Sequence, residues 1–197
     1  LERLGHPKER IQQLKPKDSI PADLHPLHLV VLLAKDLPTP IPSSLPLFGL
    51  DDGVFFQHND RPGLMTKKEV RIQLLSNLEL PQSGVLWDIG AGVGSVGLEA
   101  LRLRPNLKLL SVEKRGGGQA VIQANAKRLG VKPAIVLERE VLDLIKSADI
   151  PESLAHPDRV ILGGGGRRRS EILKVILKHL KPRGIVVIPL AMIEGVS

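Results

Sequence analysis

From residue 66 onward, short apolar runs alternate with segments of helical periodicity, and this alternation limits the possible folds most strongly. Strands that alternate with helices build a parallel sheet with helices on both faces. The sequence therefore predicts an α/β fold with a doubly wound, mostly parallel sheet. The predicted strands are 84–90, 107–113, 134–140, 159–164 and 185–193, and the predicted helices are 66–80, 96–104, 119–130, 141–148 and 170–184.

Two of the predicted helices carry end signals. Thr66-x-x-Glu69 is typical of a capping box, in which each side chain satisfies a free backbone N–H group at the start of a helix. Gly130 stands where a glycine commonly ends a helix. We therefore expect one helix to begin at Thr66 and another to end at Gly130.

The first 50 residues differ from the rest of the chain. Residues 1–36 contain a charged segment that predicts the start of a helix, "HPKERIQQL", and an apolar segment that predicts a buried strand, "HLVVLLA". One helix and one strand bury little surface alone, so we interpret 1–36 as a fragment of another domain. Prolines at positions 38, 40, 42 and 46 predict a semi-rigid linker over 37–50. The main domain is then 51–197.

The composition excludes several kinds of protein and leaves others open. The chain has no cysteine, which excludes disulfides and thiolate metal sites and fits a cytoplasmic protein. No apolar run approaches the roughly 20 residues of a membrane span, so no membrane partner is expected. The formal net charge of +7 suggests a polyanionic partner or simply a solvated basic surface. Aromatic residues are only 2 % of the chain. This disfavours binding of single-stranded nucleic acid, in which bases usually stack on aromatic side chains.

A glycine-rich turn follows the first strand of the main domain and fits two ligand patterns. Gly90-x-Gly92-x-Gly94 resembles the S-adenosylmethionine (SAM) loop of methyltransferases, whereas a frame from Gly92 to Gly97 matches a dinucleotide fingerprint. Such a turn brings the backbone and a helix N-terminus close to a ligand. Asp88, two residues before the first glycine, suits the ammonium group of SAM better than NAD. We therefore favour SAM, with Gly97 as a helix-packing residue.

Two further strand ends supply candidate cofactor contacts. Glu113 ends the second strand, where its carboxylate can accept hydrogen bonds from the two ribose hydroxyls of an adenosine. Glu140 ends the third strand and could accept from the adenine amino group, while the N–H of Val141 could donate to a ring nitrogen. A solvated strand end is an equally good interpretation of these last two residues. The predicted cofactor site comprises Asp88, Gly90, Ala91, Gly92, Val93, Gly94, Glu113, Glu140 and Val141.

Motifs spread over residues 48–194 resemble one methyltransferase family. They are "FGLDDGVFFQ", "GLMTKKEVR", "LWDIGAGVGSVGLEA", "VEK", "NAKRLGV" and "ILGGGG", in this order. They are similar to the decarboxylating precorrin-6Y methyltransferases of cobalamin biosynthesis. "LGHPKERI" and "LHPLHLVVL" resemble the end of the tetrapyrrole methylase domain that often precedes them. The resemblance implies a Rossmann-like SAM-dependent methyltransferase fold over 51–197 and a tetrapyrrole methylase tail over 1–36.

The resemblance also implies a reaction and a set of ligands. The family methylates carbon 15 of a precorrin-6-type intermediate and removes carbon dioxide from its ring C acetate, using SAM and no metal. The substrate is a polycarboxylate tetrapyrrole, which suits a basic chain. Thr66 matches a threonine that contacts SAM, and no catalytic residue is assigned. Members form oligomers, which makes a homo-oligomer a further expectation. Candidate substrate ligands are Lys67, Arg71, Gly163, Gly164, Arg167, Arg168 and Arg169.

Three departures from the family pattern keep other functions open. Glycines at 116–118 replace a more ordinary helix start and are expected to loosen the segment after Glu113. Arg167 occupies a position that is usually small, and the closing strand pair of the family fold is expected to be missing. An RNA or protein methyltransferase remains an alternative because of the basic pI, although the "ILGGGGRRR" turn argues against base methylation. A non-catalytic SAM-fold partner module is the other alternative.

Overall fold

The computed structural model describes residues 1–15, 17–32, 41–60, 65–147 and 149–190. Its described strands form one parallel sheet in the order β3-β2-β1-β4-β5. The strands are β1 Ser83–Ile89, β2 Asn106–Glu113, β3 Ile135–Glu138, β4 Arg159–Leu162 and β5 Ile185–Val187. The helices are α1 Lys68–Asn77, α2 Ser95–Leu103, α3 Gly118–Leu129, α4 Val141–Lys146 and α5 Arg169–His179, with short 3₁₀ turns at Pro42–Ser44, Asp52–Val54, Glu152–Leu154 and Gly166–Arg168.

The two faces of the sheet are buried by different helices, which confirms the doubly wound prediction. Along β1, Leu86 packs with residues of α1, α2 and α3, whereas Trp87 and Ile89 pack with α4 and α5. The Trp87 indole Nε1–H, fully buried, donates to the Leu154 carbonyl at 2.8 Å. Side chains on successive strand residues point to opposite faces, so one strand supplies both cores. No helix in the described part of the chain is long and apolar enough to cross a membrane.

The chain divides into two compact units, residues 1–38 and 39–197. In the first unit, the described residues form isolated antiparallel bridges from Glu2 to Arg10 and to His28, and they contain no helix. The predicted helical start is therefore wrong. The described part of the predicted buried strand is exposed, with Leu29 and Val30 at 54 % and 68 %. This apolar segment has few partners within its own unit, which explains why it is exposed here.

The helix-end signals had different outcomes. Gly130 is the C-cap of α3 with φ +67°, as predicted. The capping box at Thr66 is wrong, because α1 begins at Lys68 and its N-cap residue, Lys67, makes no side-chain capping bond. The backbone carbonyl of Thr66 instead accepts a hydrogen bond from the Arg71 side chain at 2.7 Å.

Residues 41–50, within the predicted linker, belong to the second unit and pack on its α2 side. The Arg102 guanidinium on α2 donates to the carbonyls of Pro42, Leu45 and Pro46 at 3.2, 3.2 and 2.7 Å. Leu50 is fully buried in the core that covers one face of the sheet. The remaining linker residues, 37–40, lie outside the described part of the chain.

Candidate active site

A cavity of about 590 Å³ lies where the strands of the second unit end. The carboxyl ends of parallel strands are the usual ligand-binding edge of a doubly wound sheet. Residues that follow β1, β2, β3, β4 and β5 all contribute to its wall, together with the segment that leads into α1. The sequence-predicted residues that line it are Thr66, Lys67, Gly90, Ala91, Gly92, Val93, Glu113, Glu140, Val141, Gly163 and Gly164.

The glycine turn after β1 is in the conformation that the sequence pattern predicts. Gly90, Gly92 and Gly94 have φ values of +73°, +60° and +78°, in the left-handed region that favours glycine. A Cβ on Gly92 would meet nothing within 4 Å, so its backbone faces open space in the cavity wall. Gly94 does not line the cavity, because it packs against Leu98 and Ile122 as α2 begins.

The turn at Gly90 packs directly against the glycine turn after β4. A Cβ on Gly90 would lie 2.6 Å from the backbone nitrogen of Gly164 and 2.8 Å from its Cα. The N–H of Gly163 donates to the Ile89 carbonyl at 2.8 Å. The two turns are therefore packed backbone to backbone, and they form a single floor under the cavity.

Glu113 connects the end of β2 to the glycine turn. Its Oε2 accepts the N–H of Gly92 at 2.7 Å, and its Oε1 accepts the N–H of Arg115 at 2.9 Å. Gly118 is buried where α3 begins, and a Cβ there would lie 2.6 Å from the Cγ of Glu113. This glycine therefore brings α3 against the carboxylate, whereas we expected the glycine cluster to loosen the segment.

Asp88 does not line the cavity in which the cofactor is predicted to bind. Its carboxyl is 2 % exposed and lies outside the cavity lining. Its Oδ2 accepts the N–H of Gly97 at 3.1 Å, in the first turn of α2. Burial raises the pKa of Asp88 to about 7, and the nearby Glu113 charge adds to the rise, while the Gly97 hydrogen bond opposes it. Side chains of paired residues in parallel strands share a face, which directs Asp88 and its β2 partner Ser111 toward α2.

The same geometry supports the interpretation of Gly97 as a packing residue. A Cβ on Gly97 would lie 2.7 Å from the Oδ2 of Asp88 and 3.0 Å from Leu109. The absence of a side chain lets the first turn of α2 approach the sheet closely. The hydrogen bond between Gly97 and Asp88 depends on that approach.

The end of β3 contributes a charged residue and a helix start. Glu140 lines the cavity as the N-cap residue of α4, and its carboxylate lies 3.7 Å from the Lys114 ammonium. Val141 is the first residue of α4, where backbone N–H groups have no partner within the helix. Such a donor suits a ring nitrogen, as the sequence interpretation required.

Four of the predicted substrate ligands lie elsewhere. Arg71 is fully buried and its Nε donates to Glu99 at 2.7 Å, so it cannot reach a ligand in the cavity. The three arginines of the turn after β4 do not line the cavity. Arg168 pairs with Glu171 at 3.1 Å, and the Nε of Arg169 donates to the Gly164 carbonyl at 3.4 Å. Arg167 is exposed in the 3₁₀ turn Gly166–Arg168.

Three cations in the cavity wall were not predicted from the sequence. Lys114 and Arg115 follow β2, and Arg139 follows β3. Arg139 is paired with Asp149 at 2.6 Å. Their positions just beyond strand ends were the available signal, because that is where a parallel sheet presents residues to a ligand. Within the described residues, no group of histidines, aspartates and glutamates is arranged to hold a metal ion.

The fold and the cavity define the class of protein. A doubly wound parallel sheet with a left-handed glycine turn after β1, held by a carboxylate from the end of β2, is the arrangement of Rossmann-like methyltransferases. Residues 55–195 match the family described as precorrin methyltransferase domain, and the chain belongs to that family. The resemblance inferred from the motifs is therefore confirmed.

Two curated relatives of the chain are both named as decarboxylating methyltransferases. It is 32 % identical over 188 residues to the precorrin-6Y C(5,15)-methyltransferase (decarboxylating) of Sinorhizobium sp, a match that covers 95 % of the chain and 42 % of that protein. It is 32 % identical over 150 residues to the probable cobalt-precorrin-6B C(15)-methyltransferase (decarboxylating) of Pyrobaculum calidifontis, covering 76 % of the chain and 73 % of the relative. The chain thus spans less than half the length of the Sinorhizobium protein.

A solved structure shows the same fold at similar identity. The crystal structure of precorrin-6y C5,15-methyltransferase from Geobacter metallireducens superposes with a TM-score of 0.69 at 31 % identity. The match covers 78 % of this chain and 76 % of that one. The likeness therefore extends over most of both chains.

Proposed function

We propose that this chain is a SAM-dependent C-methyltransferase of cobalamin biosynthesis. It methylates carbon 15 of a precorrin-6-type tetrapyrrole and releases the ring C acetate carboxyl as carbon dioxide. The observation that carries the proposal is the cavity, in which a glycine turn and Glu113 face the glycine run after β4 in a chain of the precorrin methyltransferase domain family. Its curated relatives from Sinorhizobium and Pyrobaculum are named as decarboxylating methyltransferases.

The β1, β2 and β3 side of the cavity suits the adenosine and amino acid parts of SAM. Glu113 offers carboxylate lone pairs beside the exposed backbone of Gly92, and Val141 offers a free helix N–H. A volume of about 590 Å³ lies within the usual range of small-molecule sites. SAM supplies an electrophilic methyl group on a sulfonium, and these residues would hold and orient it.

Other parts of the cavity wall, from α1 and from the segments after β4 and β5, suit a flat apolar ring with charged edges. Val70 and Leu190 line the cavity although they are 46 % and 44 % exposed, which is unusual for large apolar side chains. Gly164 leaves a wall without side chains. Lys67 is half-exposed and also lines the cavity, where it would meet a carboxylate of the tetrapyrrole. Apolar surface would hold the macrocycle while the cation selects its acid groups.

The proposed chemistry balances without a metal or a further cofactor. A nucleophilic ring carbon forms a bond to the methyl group while the bond between the methyl carbon and sulfur breaks. The electron pair of the broken bond stays on sulfur, and S-adenosylhomocysteine leaves. Loss of carbon dioxide breaks the bond to the acetate carboxyl, and the conjugated macrocycle accepts that electron pair. The chain contributes positioning and exclusion of water, which account for a large part of such rate enhancements. No general base is assigned.

We also propose a domain organisation for the longer protein. Residues 1–36 are the tail of a preceding tetrapyrrole methylase domain, 37–50 a linker, and 51–197 the methyltransferase domain. The Sinorhizobium match, which covers 95 % of this chain, supports the proposal because it continues through the N-terminal unit. Apolar side chains such as Leu27 and Leu32, at 72 % and 91 % exposure, are what a domain fragment would present.

The reaction is tested by weighing its products. Incubation of the protein with SAM and a precorrin-6-type substrate is expected to yield a product that gains one methylene and loses one carbon dioxide, together with S-adenosylhomocysteine. Calorimetry with SAM alone checks cofactor binding independently. Methylation without decarboxylation would contradict the decarboxylating assignment, and SAM binding without any turnover would favour the non-catalytic module.

Glu113→Gln is expected to weaken SAM binding by about tenfold to a hundredfold. Glutamine replaces one carboxylate oxygen by an NH₂ group, so it cannot accept from both Gly92 and Arg115, and one partly buried N–H donor loses its partner. Calorimetry with SAM measures the change. Glu138→Gln is the matched control, because this exposed carboxylate also ends a strand but does not line the cavity. Equal affinities for the two variants would refute the role of Glu113.

A further inference from the structure

A fully buried ion pair joins two helices beside the cavity. The side chains of Arg71 on α1 and Glu99 on α2 are both 0 % exposed, and the Arg71 Nε donates to the Glu99 Oε2 at 2.7 Å. Removing two charges from water costs several kcal/mol, and apolar residues of similar volume often stabilise a fold equally well or better. The pair is therefore poorly explained by stability alone, and its other partners indicate what it does.

The remaining donors of Arg71 join Thr66, which lines the cavity, to the segment 50–52, which lies outside the cavity lining. Its Nη1 donates to the backbone carbonyl of Thr66 at 2.7 Å and to the Asp52 carboxylate at 3.2 Å. Its Nη2 donates to the carbonyl of Leu50. The guanidinium also lies 4.9 Å from the centre of the Phe55 ring. A planar guanidinium with several fixed donors can hold such a set in only one arrangement.

Glu99 binds both Arg71 and the segment that contains Gly49 and Leu50. Its Oε1 accepts the N–H groups of Gly49 and Leu50, the latter at 3.3 Å, while its Oε2 accepts from Arg71. Asp52, which Arg71 contacts, also lies 3.6 Å from the Lys67 ammonium. Through these bonds Arg71 holds Thr66 directly by its backbone carbonyl. It holds Lys67 indirectly, because the Asp52 carboxylate contacts both Arg71 and Lys67. Thr66 and Lys67 both line the cavity.

We infer that Arg71 and Glu99 are positioning residues of the methyltransferase site. They hold the wall at residues 65–67 against the segment 49–52 and so fix where Thr66 and Lys67 meet SAM and substrate. This inference rests on the proposed function for its kinetic consequences. Its structural part, that Arg71 orders residues 65–67, stands independently of which molecule binds.

Arg71→Lys tests the inference with the smallest change. Lysine keeps a charge beside Glu99, but one ammonium cannot reach Thr66, Asp52 and Leu50 together. We expect SAM affinity, measured by calorimetry, to fall about tenfold and amide hydrogen exchange at residues 65–67 to accelerate, while exchange in β1 and β2 stays unchanged. Lys68→Met is the matched control, because Lys68 pairs with Asp51 at the surface and lies outside the cavity lining. It should change neither measurement by more than about twofold.

A double variant separates positioning from stability. Arg71→Met leaves Glu99 buried without its cation and is expected to lower the melting temperature strongly, whereas Arg71→Met with Glu99→Leu recovers much of it. We expect SAM affinity to stay low in the double variant, because the hydrogen bond from Arg71 to the Thr66 carbonyl is then lost. Recovery of affinity together with stability would overturn the inference, as would normal affinity and exchange in Arg71→Lys. If the methionine variants do not fold, the SAM affinity of Arg71→Lys and its hydrogen exchange at residues 65–67 test the inference. If the wild-type protein binds no SAM, the proposed function fails, and exchange at residues 65–67 still tests the positioning role.

Discussion

Gly90→Ala is expected to abolish measurable SAM binding, a loss of at least about a hundredfold. The new Cβ would lie 2.6 Å from the Gly164 nitrogen and 2.8 Å from its Cα, and both are backbone atoms that cannot rotate away. Relief requires β1 and β4 to separate just where their turns form the cavity floor. Alanine is also strained at a φ of +73°. Calorimetry with SAM and the thermal unfolding midpoint measure the two effects.

Gly117→Ala controls for the backbone strain in that experiment. Gly117 has a φ of +80°, close to that of Gly90, but a Cβ there would meet nothing within 4 Å and the residue does not line the cavity. It should incur the left-handed penalty of about 1–2 kcal/mol in stability and keep its SAM affinity within about threefold. If both variants bind SAM equally well, the close packing of Gly90 on Gly164 does not control the site.

Local sequence patterns predicted most strands and helices of the second unit, because the spacing of apolar residues in these elements is regular. β1 was predicted as 84–90 and is Ser83–Ile89, and α3 ends at Gly130 as predicted. The glycine turn could be assigned because only glycine adopts its conformation freely. The first unit failed for the opposite reason. Its apolar segment predicted burial, and burial depends on partners that a local pattern does not contain.

Lys67 and Arg71 show why the site was only partly predictable. They lie four residues apart around the start of α1, so helical periodicity places them on similar sides. Arg71 is buried because Glu99 and the carbonyl of Leu50 meet it, and these partners are 28 and 21 residues away in sequence. Such long-range pairing leaves no trace in the spacing of the motif. The motif identified the family correctly, yet it assigned a ligand role to a residue that the fold has buried.

The burial of Asp88 was not predicted either, and it has a measurable consequence for stability. The motif predicted a charge that faces a ligand, but the carboxyl is buried under the first turn of α2 and its pKa is raised to about 7. In the unfolded chain the same group titrates near pH 4. Between those values the folded state binds a proton that the unfolded state has lost, so stability falls as pH rises from about 4 to about 7.

Asp88→Asn is therefore expected to remove the part of the pH-dependent loss of stability that comes from Asp88. Asparagine cannot ionise, its Oδ1 can still accept the Gly97 N–H, and its NH₂ group can donate to the buried Ser111 hydroxyl, which has no partner in the described structure. The free energy of unfolding of wild type, relative to the variant, should fall by about 2–3 kcal/mol between pH 5 and pH 8. Denaturant titrations at the two pH values measure it, and taking the difference between the proteins cancels the other titrating groups. Parallel pH curves for the two proteins would show that Asp88 is already ionised in the folded protein at pH 5 and would refute its raised pKa.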